Sequence, residues 1–108
     1  MILEIAEFRI PTDRAADFET AMEELKTVIA SSVGYLGHTI QRSLETPERY
    51  VLLVRWASLE AHETGFRGSA AFADWKARLS EHRDGAVVEH FVTVLEHDWR
   101  FWLASDAD

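Results

Sequence analysis

The stretch that decides the fold is RYVLLVRW, residues Arg49–Trp56, in which apolar side chains stand at almost every position. Side chains alternate between the two faces of an extended strand. The two faces consist of Tyr50, Leu52, Val54 and Trp56 on one side and of Val51, Leu53 and Arg55 on the other. Because both faces are apolar, we expect both faces of the sheet that contains this strand to be covered.

Hydrophobic periodicity on either side of this strand predicts the remaining elements. Alternation with period two predicts strands at Ile2–Ile10, Tyr35–Leu44 and Ala86–Glu96. Spacings of three and four residues predict helices from about Arg14 to Ser31 and from about Ser69 to Glu81.

Polar residues and glycines mark the ends of the predicted helices. Thr12 or Asp13 can cap the first helix, and Gly34 follows its end. Ser58 can cap a short helical turn, residues 59–64, that Gly65 ends.

The resulting order, β-α-β-β-(α)-α-β, is typical of an α+β, ferredoxin-like domain with helices on one face of an antiparallel sheet. We expect this domain to span residues 1–96, followed at residues 97–108 by an aromatic C-terminal tail that packs on the dimer or the pocket.

The apolar second face of the sheet predicts a homodimer. Leaving four or five Val, Leu or Phe side chains uncovered would forgo on the order of 10 kcal/mol, at roughly 1.5–3 kcal/mol each. That is comparable to the whole stability of a small domain. A second copy packed sheet to sheet through a two-fold interface is the simplest cover. The alternative is that the aromatic tail folds back over its own sheet.

Composition excludes several classes of function. The chain of 108 residues has a net charge of −8 and no cysteine. An acidic surface repels phosphate backbones and anionic lipids, so we expect no nucleic-acid or membrane partner. A thiolate site or disulfide framework is excluded. The N-terminus lacks the basic segment of a signal peptide, which predicts a cytoplasmic protein.

The middle of the chain resembles the antibiotic biosynthesis monooxygenase (ABM) domain family. The resemblance rests on RW at 55–56, SLEAH at 58–62, GFRGS at 65–69, Phe72 with Trp75, and VVEHF at 87–91. It implies a dimeric α/β barrel made by two ferredoxin-like sheets packed face to face. Family members include cofactor-independent monooxygenases of aromatic quinols, haem-degrading enzymes, and isomerases or lyases, so the fold alone does not decide the reaction.

The haem-degrading branch of that family can be tested at single positions. Trp56 matches its pocket tryptophan. Phe8 and Lys76 stand where that branch has an asparagine and an axial histidine, and neither can replace the chemistry of the matching residue. We therefore expect no haem and no other cofactor.

Three polar residues are candidates for catalysis. His62 or His90 could act as a general base, and Arg67 could pair with an oxyanion. The alternatives are that His62 is a half-exposed helix residue, that Arg67 pairs with Glu60 or Glu63, and that His90 is a satisfied core histidine. The histidines show no metal-ligand spacing, so we predict no metal site.

Five aromatic residues are candidates for a substrate-binding wall, namely Trp56, Tyr50, Phe66, Phe72 and Trp75. Ligand pockets are mostly apolar with a few placed polar groups. The alternative is plain core packing, which is favoured for Phe72 and Trp75. The first hypothesis is therefore a cofactor-independent monooxygenase that acts on a small reduced aromatic of the quinol or anthrone type. The alternatives are a dimer that binds a small aromatic without turnover and a purely structural dimer.

Overall fold

The computed structural model describes residues 1–80 and 86–97. Its regular elements are β1 (Ile2–Arg9), α1 (Ala15–Ala30), β2 (Tyr35–Arg42), β3 (Arg49–Trp56), a π-helical turn (Ala61–Phe66), α2 (Ala70–Ser80) and β4 (Val87–Val92). This order confirms the ferredoxin-like α+β fold.

The four strands form one open antiparallel sheet in the order β2-β3-β1-β4. The strand quoted at the start, β3, is therefore interior and pairs on both edges. Its even-numbered residues, from Tyr50 to Trp56, are all buried under the helices. On the neighbouring strand Ala6 and Phe8 complete this covered face, and Phe18, Leu25 and Ile29 of α1 pack against it.

The predicted ends of two strands were wrong. The last strand ends at Val92 and not at Glu96, and Val94 and Leu95 beyond it are exposed. The second strand ends at Arg42, because the Ser43 N–H donates to the Arg49 carbonyl to close the hairpin, which leaves Leu44 outside it.

The first helix also begins differently from the prediction. Neither Thr12 nor Asp13 caps it, since both belong to a 3₁₀ turn, Thr12–Arg14, that leads into the helix. The structure shows no side-chain hydrogen bond capping α1.

Among the described residues, no helix packs on the second face of the sheet. Its central residues Leu3, Ile5, Val51 and Leu53 are half-buried. Phe91 on the edge strand is 43% exposed. The predicted apolar second face is therefore present, and one chain does not cover it within the described residues. All of the predicted tail except His97 lies outside those residues.

Candidate functional site

A buried carboxylate, Glu4, lies at the centre of a polar cluster in the covered side of the sheet. It stands on β1 between Val54 of β3 and His90 of β4. The residue is only 6% exposed. The Trp56 indole Nε1–H donates a hydrogen bond of 2.9 Å to Glu4 Oε1.

Glu4 was not predicted as a site residue, although the sequence contains a signal for it. Its position falls on the same period-two face as Ala6 and Phe8, which are core residues. An acid at such a position has to be partnered inside the protein, because burying an unpaired carboxylate costs several kcal/mol. This break in the apolar pattern could have identified Glu4 as a site residue.

His62 joins Glu4 to a second histidine. It is 2% exposed, and its Nε2 lies 3.3 Å from Glu4 Oε1. Its Nδ1 lies 2.7 Å from His90 Nε2. The His62 ring also stacks on the Trp56 indole, with centroids 5.1 Å apart and planes 17° from parallel. The alternative that His62 is a half-exposed helix residue is therefore wrong.

The predicted short helical turn that holds His62 is π-helical and extends to Phe66. Ser58 caps it as predicted, because its Oγ accepts a hydrogen bond of 3.1 Å from the Ala61 N–H. The turn continues past Gly65, and the Arg67 N–H donates to the His62 carbonyl at 2.9 Å, five residues back. Single π turns inside helices are frequent at functional sites.

Two glycines allow this turn to pack closely. Gly34 has a φ of +88°, and a Cβ there would stand 2.5 Å from Ala61 Cβ. A Cβ on Gly68 would stand 2.5 Å from the Thr64 carbonyl oxygen. A larger residue at Gly34 would push against Ala61 beside His62, and one at Gly68 would clash with the backbone of the turn itself.

Aromatic rings surround the polar cluster on the helix side. The Phe66 ring lies 5.7 Å from Trp56, 5.4 Å from Phe72 and 5.9 Å from Trp75, measured between centroids. Phe66 and Trp75 are buried and Phe72 is half-buried. The structure therefore brings four of the five predicted wall residues together.

Tyr50 is the wall residue that lies elsewhere. It stands at the opposite end of β3, where its ring packs 4.9 Å from Phe18 and its hydroxyl donates to Glu19 at 2.5 Å. It lines an open groove of about 550 Å³ between α1 and β2, together with His38 and Ile40. Tyr50 and the histidine cluster consequently belong to different surfaces of the domain.

Burial dominates the electrostatics of the cluster. Desolvation raises the pKa of Glu4, although the Trp56 hydrogen bond and the charges of His90 and Arg67 act in the opposite direction. Desolvation lowers the pKa of His62 to about 4, and the positive charges of Arg67 and His90 add to this effect. His62 is therefore neutral near pH 7 and carries one ring proton.

Arg67 acts on the cluster from its exposed rim. It follows the π-helical turn directly, and its charge reaches both Glu4 and His62. No ion pair of Arg67 with Glu60 or Glu63 is found among the described residues.

The described residues contain no cluster of side chains arranged to hold a metal ion. Within residues 1–80 and 86–97, no group of three or more His, Asp or Glu side chains is arranged to hold a metal. Phe8 packs in the core, 5.9 Å from the Phe18 ring, and Lys76 is exposed. These two positions, which were compared with the haem-degrading branch in the sequence, lie outside the polar cluster.

Comparison with known proteins places these features in a family. The family model described as antibiotic biosynthesis monooxygenase matches residues 1–78. The uncharacterized protein YczJ of Bacillus subtilis is 36% identical, over 87% of this chain and 100% of YczJ. A heme oxygenase (mycobilin-producing) of Mycobacterium tuberculosis is 25% identical, over 88% of this chain and 90% of that enzyme.

Solved structures show the same fold. A Bordetella bronchiseptica protein assigned to the antibiotic biosynthesis monooxygenases superposes with a TM-score of 0.82 at 34% identity, covering 87% of this chain and 97% of that one. SnoaB, a cofactor-independent oxygenase from Streptomyces nogalater, superposes with a TM-score of 0.78 at 17% identity, covering 88% and 94%. At that identity the likeness to SnoaB is one of fold.

Proposed function

Because this chain belongs to the antibiotic biosynthesis monooxygenase family, we propose that it is a cofactor-independent monooxygenase of a small reduced aromatic, such as a hydroquinone or an anthrone. The observation that carries the proposal is the buried chain of contacts from Glu4 through His62 to His90, set beside the Trp56 indole. SnoaB, with the same fold, is a cofactor-independent oxygenase, which supports this reaction class.

His90 is the base in this proposal. Both ring nitrogens of His62 already face protein partners, Glu4 and His90, and its side chain is almost fully buried. His90 is half-buried on the edge strand β4, where a substrate can reach it. A general base has to lie within hydrogen-bond reach of the proton that it removes.

The proposed reaction needs only the substrate and oxygen. The phenolic O–H bond breaks, the proton goes to the His90 imidazole, and the electron pair stays on the aromatic anion. That electron-rich anion reduces O₂ directly. For an anthrone, a CH₂ group becomes C=O, one oxygen atom enters the product and the other leaves as water with the two hydrogens. Arg67 at the rim pairs with the anionic oxygen.

The test is oxygen uptake with a panel of reduced quinones and anthrones. With the wild type, oxygen uptake should be faster than the uncatalysed uptake of the same substrate in buffer. His90→Ala should lose most of that additional rate. His97→Ala is the control, because His97 is an exposed histidine that lies beyond the end of β4. Saturable quenching of tryptophan fluorescence without oxygen uptake would indicate a dimer that binds the aromatic without turnover. The absence of both signals would indicate a purely structural dimer.

We further propose that two copies pair through the helix-free face of the sheet and so form the α/β barrel of the family. The half-buried Leu3, Ile5, Val51 and Leu53 at its centre support this arrangement, since they lack cover in one copy. Sedimentation should give twice the monomer mass, and Leu53→Glu should give a monomer. A monomeric wild type at micromolar concentration would overturn the dimer.

In the described part of the chain no helix is long and apolar enough to cross a membrane. A cytoplasmic location stays a prediction from the sequence.

A further inference from the structure

A second candidate site lies away from the histidine cluster, in the open groove between α1 and β2. The groove encloses about 550 Å³, which is within the range of small-molecule pockets. Tyr50 lines it, whereas Trp56 of the histidine cluster stands at the opposite end of β3. The proposed reaction makes no use of this groove.

Part of the groove lining is apolar. Met22, Ile40 and Tyr50 all contribute to it, and each is buried or half-buried. The sulfur of methionine makes favourable contacts with aromatic rings. This part of the lining is therefore suited to the flat face of an aromatic ligand.

The charged side chains of the lining balance one another. Its two carboxylates, Glu19 and Glu23, are matched by two cations, Lys26 and Arg42. Lys26 Nζ lies 2.5 Å from Glu23 Oε1, and Arg42 Nη1 lies 3.4 Å from Glu19 Oε2. The whole chain carries a net charge of −8, which opposes the approach of an anion. The groove consequently favours an uncharged ligand.

His38 offers a polar contact for such a ligand. Its Nδ1 lies 2.5 Å from the Tyr35 hydroxyl oxygen, but no hydrogen bond to its Nε2 is found among the described residues. That atom is not closed off either, because Thr39 Oγ1 is the one buried side-chain atom without a partner in the described part of the chain. Burial lowers the pKa of His38, so its ring is uncharged at neutral pH.

A phenol hydroxyl fits His38 Nε2 in either tautomer of the ring. If Tyr35 donates to Nδ1, the ring hydrogen is on Nε2, and Nε2 donates to the ligand. If Nδ1 carries the hydrogen and donates to Tyr35, Nε2 accepts from the ligand. A hydroxyl can both accept and donate, whereas a carbonyl oxygen can only accept.

We propose that the groove between α1 and β2 is a second binding site, which takes a small uncharged phenol. The aromatic ring lies against Met22, Ile40 and Tyr50, and the hydroxyl bonds to His38 Nε2. This site does not depend on the proposed reaction, since its occupancy is measured without turnover.

The experiment is a titration followed by the side-chain ¹H–¹⁵N signals of His38 at neutral pH. β-Naphthol should shift these signals saturably. β-Methylnaphthalene has the same shape but no hydroxyl, and it should bind roughly fivefold more weakly, because it lacks one hydrogen bond. β-Naphthoate, an anion of similar shape, should also bind more weakly than β-naphthol.

Two variants locate the ligand, with the Met22 methyl signal as the readout. This signal is simple to assign, because the chain has only two methionines. His38→Phe keeps an aromatic ring but removes the hydrogen bond, and it should lower the affinity for β-naphthol roughly fivefold. His90→Ala changes the other candidate site and should bind β-naphthol as the wild type does.

Three results overturn the proposal. The first is a wild type whose His38 and Met22 signals do not respond to β-naphthol. The second is equal affinity of the wild type for β-naphthol and β-methylnaphthalene, which decides the role of His38 even if His38→Phe does not fold. The third is loss of the response in His90→Ala, which would place the phenol at the histidine cluster. If no reduced aromatic is oxidised, the proposed function fails, while the titration still decides whether the groove binds a phenol.

Discussion

Replacing His62 by glutamine should make the stability of the domain less sensitive to acid. Burial lowers the pKa of His62 from 6.5 to about 4, so the folded chain binds a proton here less readily than the unfolded chain does. His62 therefore contributes stability that is complete above pH 6.5 and is lost as the pH falls toward 4. At about 1.4 kcal/mol per pH unit, the loss reaches about 3 kcal/mol at pH 4.

The assay is urea unfolding at one protein concentration, at pH 7.5 and at pH 4. Between these values the wild type should lose about 3 kcal/mol more free energy of unfolding than His62→Gln does. The raised pKa of Glu4 acts in the opposite direction, and it does so in both proteins. His97→Gln, an exposed histidine, is the matched control and should follow the wild type.

If His62→Gln loses as much free energy on acidification as the wild type, then the buried His62 does not control the acid response of the domain. The cluster would then have to be open to water in solution.

Three further changes test separate parts of the structure. Trp56→Phe keeps most of the ring but removes the hydrogen bond to Glu4. It should lower the free energy of unfolding, measured with urea, by about 2 kcal/mol. An unchanged free energy of unfolding would mean that water or another group satisfies Glu4. Gly34→Ala combines a φ of +88° with a Cβ 2.5 Å from Ala61 Cβ, and it should lower the free energy of unfolding by about 1–3 kcal/mol. Gly65→Ala is its control, because a Cβ there meets its nearest atom at 3.8 Å. Tyr50→Phe breaks the bond to Glu19 and should leave oxygen uptake unchanged, whereas a raised KM would place the substrate in the groove between α1 and β2.

The sequence by itself determined the order of the elements and the two-sided character of the sheet. Both depend on short-range periodicity, because side chains repeat every two residues in a strand and about every 3.6 in a helix. For that reason Arg49–Trp56 could be identified without coordinates as a strand that is apolar on both faces, and the structure places it inside the sheet. The ends of β2 and β4 were less accurate, because they depend on which backbone groups find partners.

Only the tertiary structure decided which polar groups belong together. Glu4, His62 and His90 are far apart along the chain, and no local pattern relates them. Strand pairing sets Glu4 opposite His90, and the π-helical turn places the His62 ring next to both side chains. Tyr50 and Trp56 share a face of β3 but lie at its opposite ends, so Trp56 contacts Glu4 while Tyr50 contacts Glu19. The contacts of a buried polar group follow from register and packing across elements, and periodicity along one element carries no information about them.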